Sequence, residues 1–172
     1  MGKPMSKFPQ ILLVSLCSIA FPVFSGEVEV TFTGTVLSPP SCTVSGGETI
    51  DVDFGDRVVA SDIDGNNYMQ NLPYQVNCST SNASYFDLKL SINSAQVSPF
   101  DDTAVTTTLN PDDFALKFMV SGYEDYKVND KIAISPSSPP VISVVPIKRP
   151  GVGNKLTGGN FESFVTLRAE YE

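Results

Sequence analysis

From Glu27 onward, apolar residues recur at every second position in short runs, and turn residues interrupt those runs every eight to twelve positions. A period of two places one set of side chains on one face of an extended segment, so the chain is confined to β-structure. Candidate strands are 27–37, 42–54, 71–78, 85–93, 104–109, 114–120, 126–134, 141–147 and 161–171. Between them stand Pro39-Pro40, Gly46-Gly47, Asp64-Gly65-Asn66-Asn67, Asn110-Pro111-Asp112-Asp113 and a proline-rich stretch from Pro136 to Pro150. Nothing repeats at a fixed period and no linker separates two cores. The expected architecture is an all-β sandwich, one domain preceded by an arm.

The first and last runs are the most regular. Val28, Val30, Phe32, Gly34 and Val36 share one face of the first, with Glu27, Glu29, Thr31, Thr33 and Thr35 opposite. Pro39-Pro40 then ends any ladder. Gly34 weakens a strand interior and suits a place where another backbone or side chain comes close, although composition alone favours an ordinary first strand of the same sheet. In the last run Gly159, Phe161, Ser163, Val165, Leu167, Ala169 and Tyr171 alternate with Asn160, Glu162, Thr166, Arg168 and Glu170, and Phe164 alone breaks the polar set. Tyr171 is penultimate, so no later strand is expected to return beside this one. An apolar strand with an open flank invites augmentation by another strand.

Residues 1–25 read as a secretory signal: Lys3 and Lys7, a mostly apolar run from Ile11 to Phe24, then Val23 and Ser25 at the −3 and −1 positions of a cleavage site after Ser25. The run is too short to span a bilayer, so no membrane insertion is expected. Lipidation at Cys17 is disfavoured because Leu16 stands where a small residue is needed. Cleavage would leave 147 of 172 residues, with two cysteines, nine basic groups and 19 acidic ones, a formal charge of −10 instead of −8. Two cysteines in an exported chain predict one disulfide, Cys42 to Cys78. Such an acidic surface repels phosphate backbones and anionic headgroups, which argues against nucleic acid. With no histidine at all, neither a histidine-based catalytic pair nor an imidazole metal site can form.

Other constellations yield bland readings. Asp62-Ile63-Asp64-Gly65 opens like a calcium loop, but Pro73 stands where the closing bidentate glutamate belongs. Asp101-Asp102 and Asp112-Asp113 are neighbours, and neighbours in extended chain face opposite ways, which favours turn capping over acid–base work. Tyr68, Tyr74, Tyr85, Tyr123 and Tyr126 near strand ends are read as packing residues and not as a sugar site. No cofactor, no metal and no enzyme activity is expected.

Five features together resemble the minor fimbrial subunits of chaperone–usher pili, over essentially all of the chain beyond the signal. They are the Val28–Val36 arm with Gly34, followed by Ser38-Pro39-Pro40-Ser41-Cys42; Thr49-Ile50-Asp51-Val52-Asp53-Phe54-Gly55-Asp56; Cys78 after Leu72-Pro73-Tyr74-Gln75-Val76-Asn77; Gly158-Gly159-Asn160-Phe161; and penultimate Tyr171. In that family a glycine fourteenth from the C-terminus accompanies the penultimate tyrosine, and Gly159 holds that position here.

The resemblance implies an incomplete immunoglobulin-like sandwich, residues 39–172, completed by donor-strand complementation, with 26–38 as the donor extension. It implies a periplasmic chaperone, an outer-membrane usher, and neighbouring pilin subunits or a tip adhesin as partners, with export through the periplasm to an extracellular fimbrium. Val28, Val30, Phe32, Gly34 and Val36 would be the donor residues, and Gly159, Phe161, Val165, Leu167, Ala169 and Tyr171 the chaperone and acceptor groove. A tip adhesin would need a receptor domain in place of the arm, so a linking subunit in a minor or adaptor position is expected. The alternative is a free-standing secreted binding domain whose 27–37 strand pairs in cis with 161–171.

Overall fold

A computed structural model of the chain describes residues 26–79 and 83–172. The expected signal segment, residues 1–25, with Cys17, lies outside the described residues.

Nine β-strands form among the described residues: β1 (Cys42–Val44), β2 (Gln70–Asn71), β3 (Val76–Cys78), β4 (Leu88–Asn93), β5 (Ala104–Thr106), β6 (Phe114–Val120), β7 (Ile132–Ala133), β8 (Ile142–Lys148) and β9 (Thr166–Tyr171). The helical pieces there are single 3-10 turns, at Ser45–Gly47, Ala60–Asp62 and Ala83–Tyr85. No helix among the described residues is long and apolar enough to cross a membrane. One sheet has the order β2-β8-β6-β5, a second β7-β4-β9, and β1 pairs with β3, every pairing antiparallel. Leu90 and Ile92 of β4 meet Val105, Leu116, Phe118, Ile142 and Val144 of the other sheet, and Ala169 of β9 joins them. This is the expected all-β sandwich.

Two strands depart from simple alternation for a visible reason. In β6 and β8, Ala115, Val145 and Ile147 point away from the main core into a second, smaller cluster with Ala104, Phe100 and Met119. A sheet covered on both faces reads as a nearly continuous apolar run. Pro146 is tolerated inside β8 because β2 reaches only Val144 and Ser143, which leaves that edge of β8 free beyond them.

Several expected strands are shorter than their runs. The 42–54 run stops at Val44, where Ser45, Gly46 and Gly47 take φ of +46°, +68° and +86° and turn the chain. Gly46-Gly47 is a turn signal that the alternation on either side concealed. The 71–78 run divides into β2 and β3 around Leu72-Pro73, since proline donates no ladder hydrogen bond. Of 126–134 only Ile132–Ala133 pairs, because Asn129 at φ +76° turns the backbone. Its stem still fills the core with Tyr126 and Val128, whose Oη and N–H engage Ile92 and Asp102. Leu88–Asn93, Phe114–Val120 and Ile142–Lys148 lie where expected.

The disulfide forms as expected. Cys42 and Cys78 stand directly opposite in the β1–β3 ladder, with Cα atoms 4.0 Å apart.

Candidate strand-acceptor groove

The arm comes first in sequence. Residues 26–40 belong to no strand, so the expected strand 27–37 is not formed. An isolated extended segment has no ladder to join, and period two alone cannot say whether a partner is present. Val28, Val30, Phe32 and Val36 are 84%, 64%, 91% and 95% exposed. Four large apolar side chains in a row left in water are unfavourable for a folded domain and mark a surface meant to be covered. At Gly34 a Cβ would meet nothing within 4 Å.

Within the sandwich, β9 is the outer strand of its sheet, with β4 on one side only. Its ladder with β4 runs from Thr166 opposite Asn93 to Tyr171 opposite Leu88, and Asp87 and Glu172 exchange both backbone bonds beyond it, at 3.0 and 2.9 Å. The alternation read from sequence is the alternation in space: Phe161, Ser163, Val165, Leu167 and Tyr171 are half-buried and Ala169 buried, while Glu162, Phe164, Thr166 and Arg168 are exposed. The expected strand 161–171 pairs as a strand only from Thr166, because 161–165 leave β4 and lean on the 106–108 corner. There Thr108 N–H donates to the Glu162 carbonyl, Glu162 N–H to Thr108 Oγ1, and Ser163 Oγ to the Thr106 carbonyl, at 2.9, 2.9 and 2.7 Å. Gly159 sits at the head of this run with φ +156°, and a Cβ there would touch both terminal carbons of Leu109 at 3.6 Å.

Facing this edge is a second unpaired wall. After the Ser45–Gly47 turn, Ile50, Val52, Phe54 and Val58 are half-buried, whereas Thr49, Asp51, Asp53 and Arg57 are exposed. That is strand alternation without a ladder partner. Leu72, Val105, Leu116, Phe118 and Val144 form the apolar floor between the walls. The two walls run antiparallel, since β1 at the start of one packs beside β9 and Phe54 further along meets Phe161, ring centroids 5.9 Å apart. Phe161 in turn stands edge-on to Phe114 at 4.9 Å.

The resulting groove has a volume of about 1060 Å³. Its lining runs, 47–56 and 156–167, would extend over roughly 30–40 Å. That is the reach of a strand and not of a small-molecule pocket. An extended segment laid between two unpaired edges could satisfy their main-chain groups while its alternate side chains cover the floor. Phe161, Val165 and Leu167 line this groove with Gly159; Ala169 and Tyr171 lie further along β9, packed into the core. The 48–58 wall was recognised in the sequence only as a motif and not as half of the site. Its cue was the alternation Ile50, Val52, Phe54 immediately after a glycine pair.

The remaining polar groups are occupied with structure. Asp64 accepts from Asn66 N–H and Asn67 N–H, both at 2.8 Å, and those backbone bonds hold its carboxyl below the usual range. Asp101 and Asp102 face different partners, Lys117 at 3.3 Å and Lys127 at 2.5 Å. Burial works to raise the Asp101 carboxyl, and bonds from Thr103 and Lys117 outweigh it, leaving it low. Asp113 pairs with Arg149. The hydroxyls of Tyr74 and Tyr123 donate to the carbonyls of Pro140 and Ala133, and those of Tyr68 and Tyr126 accept from Val59 and Ile92 N–H. These tyrosines brace loops and core.

Two curated proteins of Escherichia coli (strain K12) align along nearly the whole chain. The fimbrial-like protein YfcQ is 32% identical over 164 residues, covering 93% of this chain and 97% of that protein. The fimbrial-like protein YfcR is 25% identical over 167 residues, covering 94% and 91%. Among solved structures, the P pilus adaptor subunit PapF superposes with a TM-score of 0.54 at 18% identity, over 78% of this chain and 98% of that one. The P pilus rod subunit PapA gives 0.54 at 17% identity, over 84% and 100%. No family model matches the chain. At these identities the two structures show the fold alone, the immunoglobulin-like sandwich of pilins.

Proposed function

We propose that this chain, which belongs to the fimbrial-like proteins, is a structural subunit of a chaperone–usher fimbria that polymerises by donor-strand exchange and supports adhesion. One observation carries the reading: a single molecule has both an exposed alternating arm and an apolar groove between two unpaired edges. Val28, Val30, Phe32 and Val36 would enter the groove of a neighbouring subunit, with Gly34 passing where that groove is shallow. Phe161, Val165, Leu167, Ala169 and Tyr171, with Gly159, would receive a strand first from a periplasmic chaperone and then from the next subunit's arm, as an outer-membrane usher assembles the fibre. Burying four such side chains at ~1.5–3 kcal/mol each stabilises the joint by roughly 6–12 kcal/mol before entropy. Ladder hydrogen bonds add to that. The protein acts by assembly and not by catalysis. The Ser38–Cys42 and Asp51–Asp56 segments support a minor or tip-adaptor position in the fibre.

Deleting residues 26–37 tests this directly. The shortened chain should still be recovered with its chaperone and should no longer join fibres. A shortened chain that incorporates normally would remove the donor role from the arm.

A further inference from the structure

The groove is acidic around its mouth. Glu48, Asp51, Asp53 and Asp56 on one wall and Glu162 on the other line it, and no lysine or arginine does. All five are exposed, and none takes part in an ion pair among the described residues. Arg57, Lys155 and Arg168 flank the lining runs and none of them lines the groove; Arg168 lies 3.7 Å from Glu170.

The chain's own arm has the same sign. Glu27 and Glu29 are its charged residues, on the face opposite Val28 and Val30. When the apolar face of an arm turns into a groove, the pleat turns the other face out to the mouth. Outward residues of a seated strand lie beside outward residues of the flanking strands, close enough for like charges to destabilise the pairing. Four carboxylates are spread from Glu48 to Asp56, so no small shift of register moves the arm's glutamates clear of them. The apolar half of the arm suits this groove and the polar half does not.

We infer that the groove discriminates against a second copy of its own chain, and that its donor is the arm of a different subunit bearing Lys or Arg on its outward face. This rests on the donor-groove reading above and adds the chemistry of the partner. It makes the chain a heterologous link, one that follows unlike subunits and does not stack on itself. The selection acts through the rate of strand uptake, because charges at an open mouth steer or repel an incoming strand before its side chains dock.

The test uses the mature chain, residues 26–172, and three synthetic peptides covering residues 26–38 with the same free N-terminus: the native arm, E27Q/E29Q and E27K/E29K. Uptake into the groove is followed by fluorescence of a label on the peptide. At low salt the E27K/E29K peptide should enter at least about tenfold faster than the native arm, with E27Q/E29Q between them. Raising sodium chloride towards 1 M, where screening acts within about 3 Å, should speed the native arm, slow E27K/E29K and bring the three rates together. Equal rates at low salt, or rates indifferent to salt, would overturn the charge selection and leave the donor groove standing. Uptake of none of the peptides at any salt would overturn the donor-groove reading, and this inference with it.

Discussion

Tyr74 gives a pH signature to a single side chain. Burial pushes its phenol from the ordinary value of 10.0 up to about 12, while its hydroxyl donates to the Pro140 carbonyl. Below pH 10 both folded and unfolded chains keep the proton, so the contribution is fully present; between 10 and about 12 the unfolded chain ionises first and stability falls as pH rises. Tyr126, also raised by burial, adds in the same direction. Urea melts of the wild type and Tyr74→Phe across pH 9–12 should show a shallower alkaline decline in the variant. Tyr126→Phe should cost about 1–3 kcal/mol in the same assay, because the Ile92 N–H that bonds Tyr126 Oη at 2.7 Å would lose its partner. Gly34→Leu is expected to leave the melt unchanged, since open space surrounds Gly34, and to slow or block strand exchange as read by fibre growth. The pairing of Cys42 with Cys78 was legible from cysteine count and export alone. The roles of the tyrosine hydroxyls were not, because their partners lie up to 66 residues away.

At the scale of elements, legibility followed covering. Strands with one buried and one wet face, such as β9, could be read by parity, whereas β6 and β8 pack on both faces and announced themselves by continuous apolarity instead. What parity could not reveal was whether an alternating run has a neighbour: 27–37, 48–58 and 161–165 all alternate, and none is a laddered strand. Hydrogen-bond partners are a property of the tertiary arrangement, so half of the groove was hidden in plain alternation. Position within the last run should matter by parity. Leu167→Arg, on the inward face, should abolish uptake of an arm peptide and destabilise the domain by about 2–5 kcal/mol, a cost comparable to losing a core leucine plus an unpaired charge. Thr166→Arg, one residue away and exposed, should leave stability within about 0.5 kcal/mol.

At the scale of the whole molecule, the sandwich has one edge unprotected and the arm's sequence carries a matching pattern, so stability should depend on company. Purified without a partner, the mature chain should be unstable, with a low thermal melt. An arm peptide that binds should raise its melting temperature, with about 2.7 kcal/mol gained at a hundredfold excess over Kd. A stable monomer indifferent to peptide would contradict that view. The disulfide acquires a different meaning once the molecule is placed under tension. In a fibre, a pull on the arm travels through Pro39-Pro40 and arrives at Cys42, the first residue of β1. A three-residue strand held by hydrogen bonds alone would peel from that end like tape. The bond to Cys78 would pass the load sideways into β3 at the very residue where it enters, while β1 rests against β9, which borders the edge proposed to grip the following arm. In the proposed fibre the cystine would sit at the point where an outgoing tether meets an incoming one, a covalent rivet in an otherwise non-covalent rope. Reducing it should lower the force at which such a rope extends under optical tweezers.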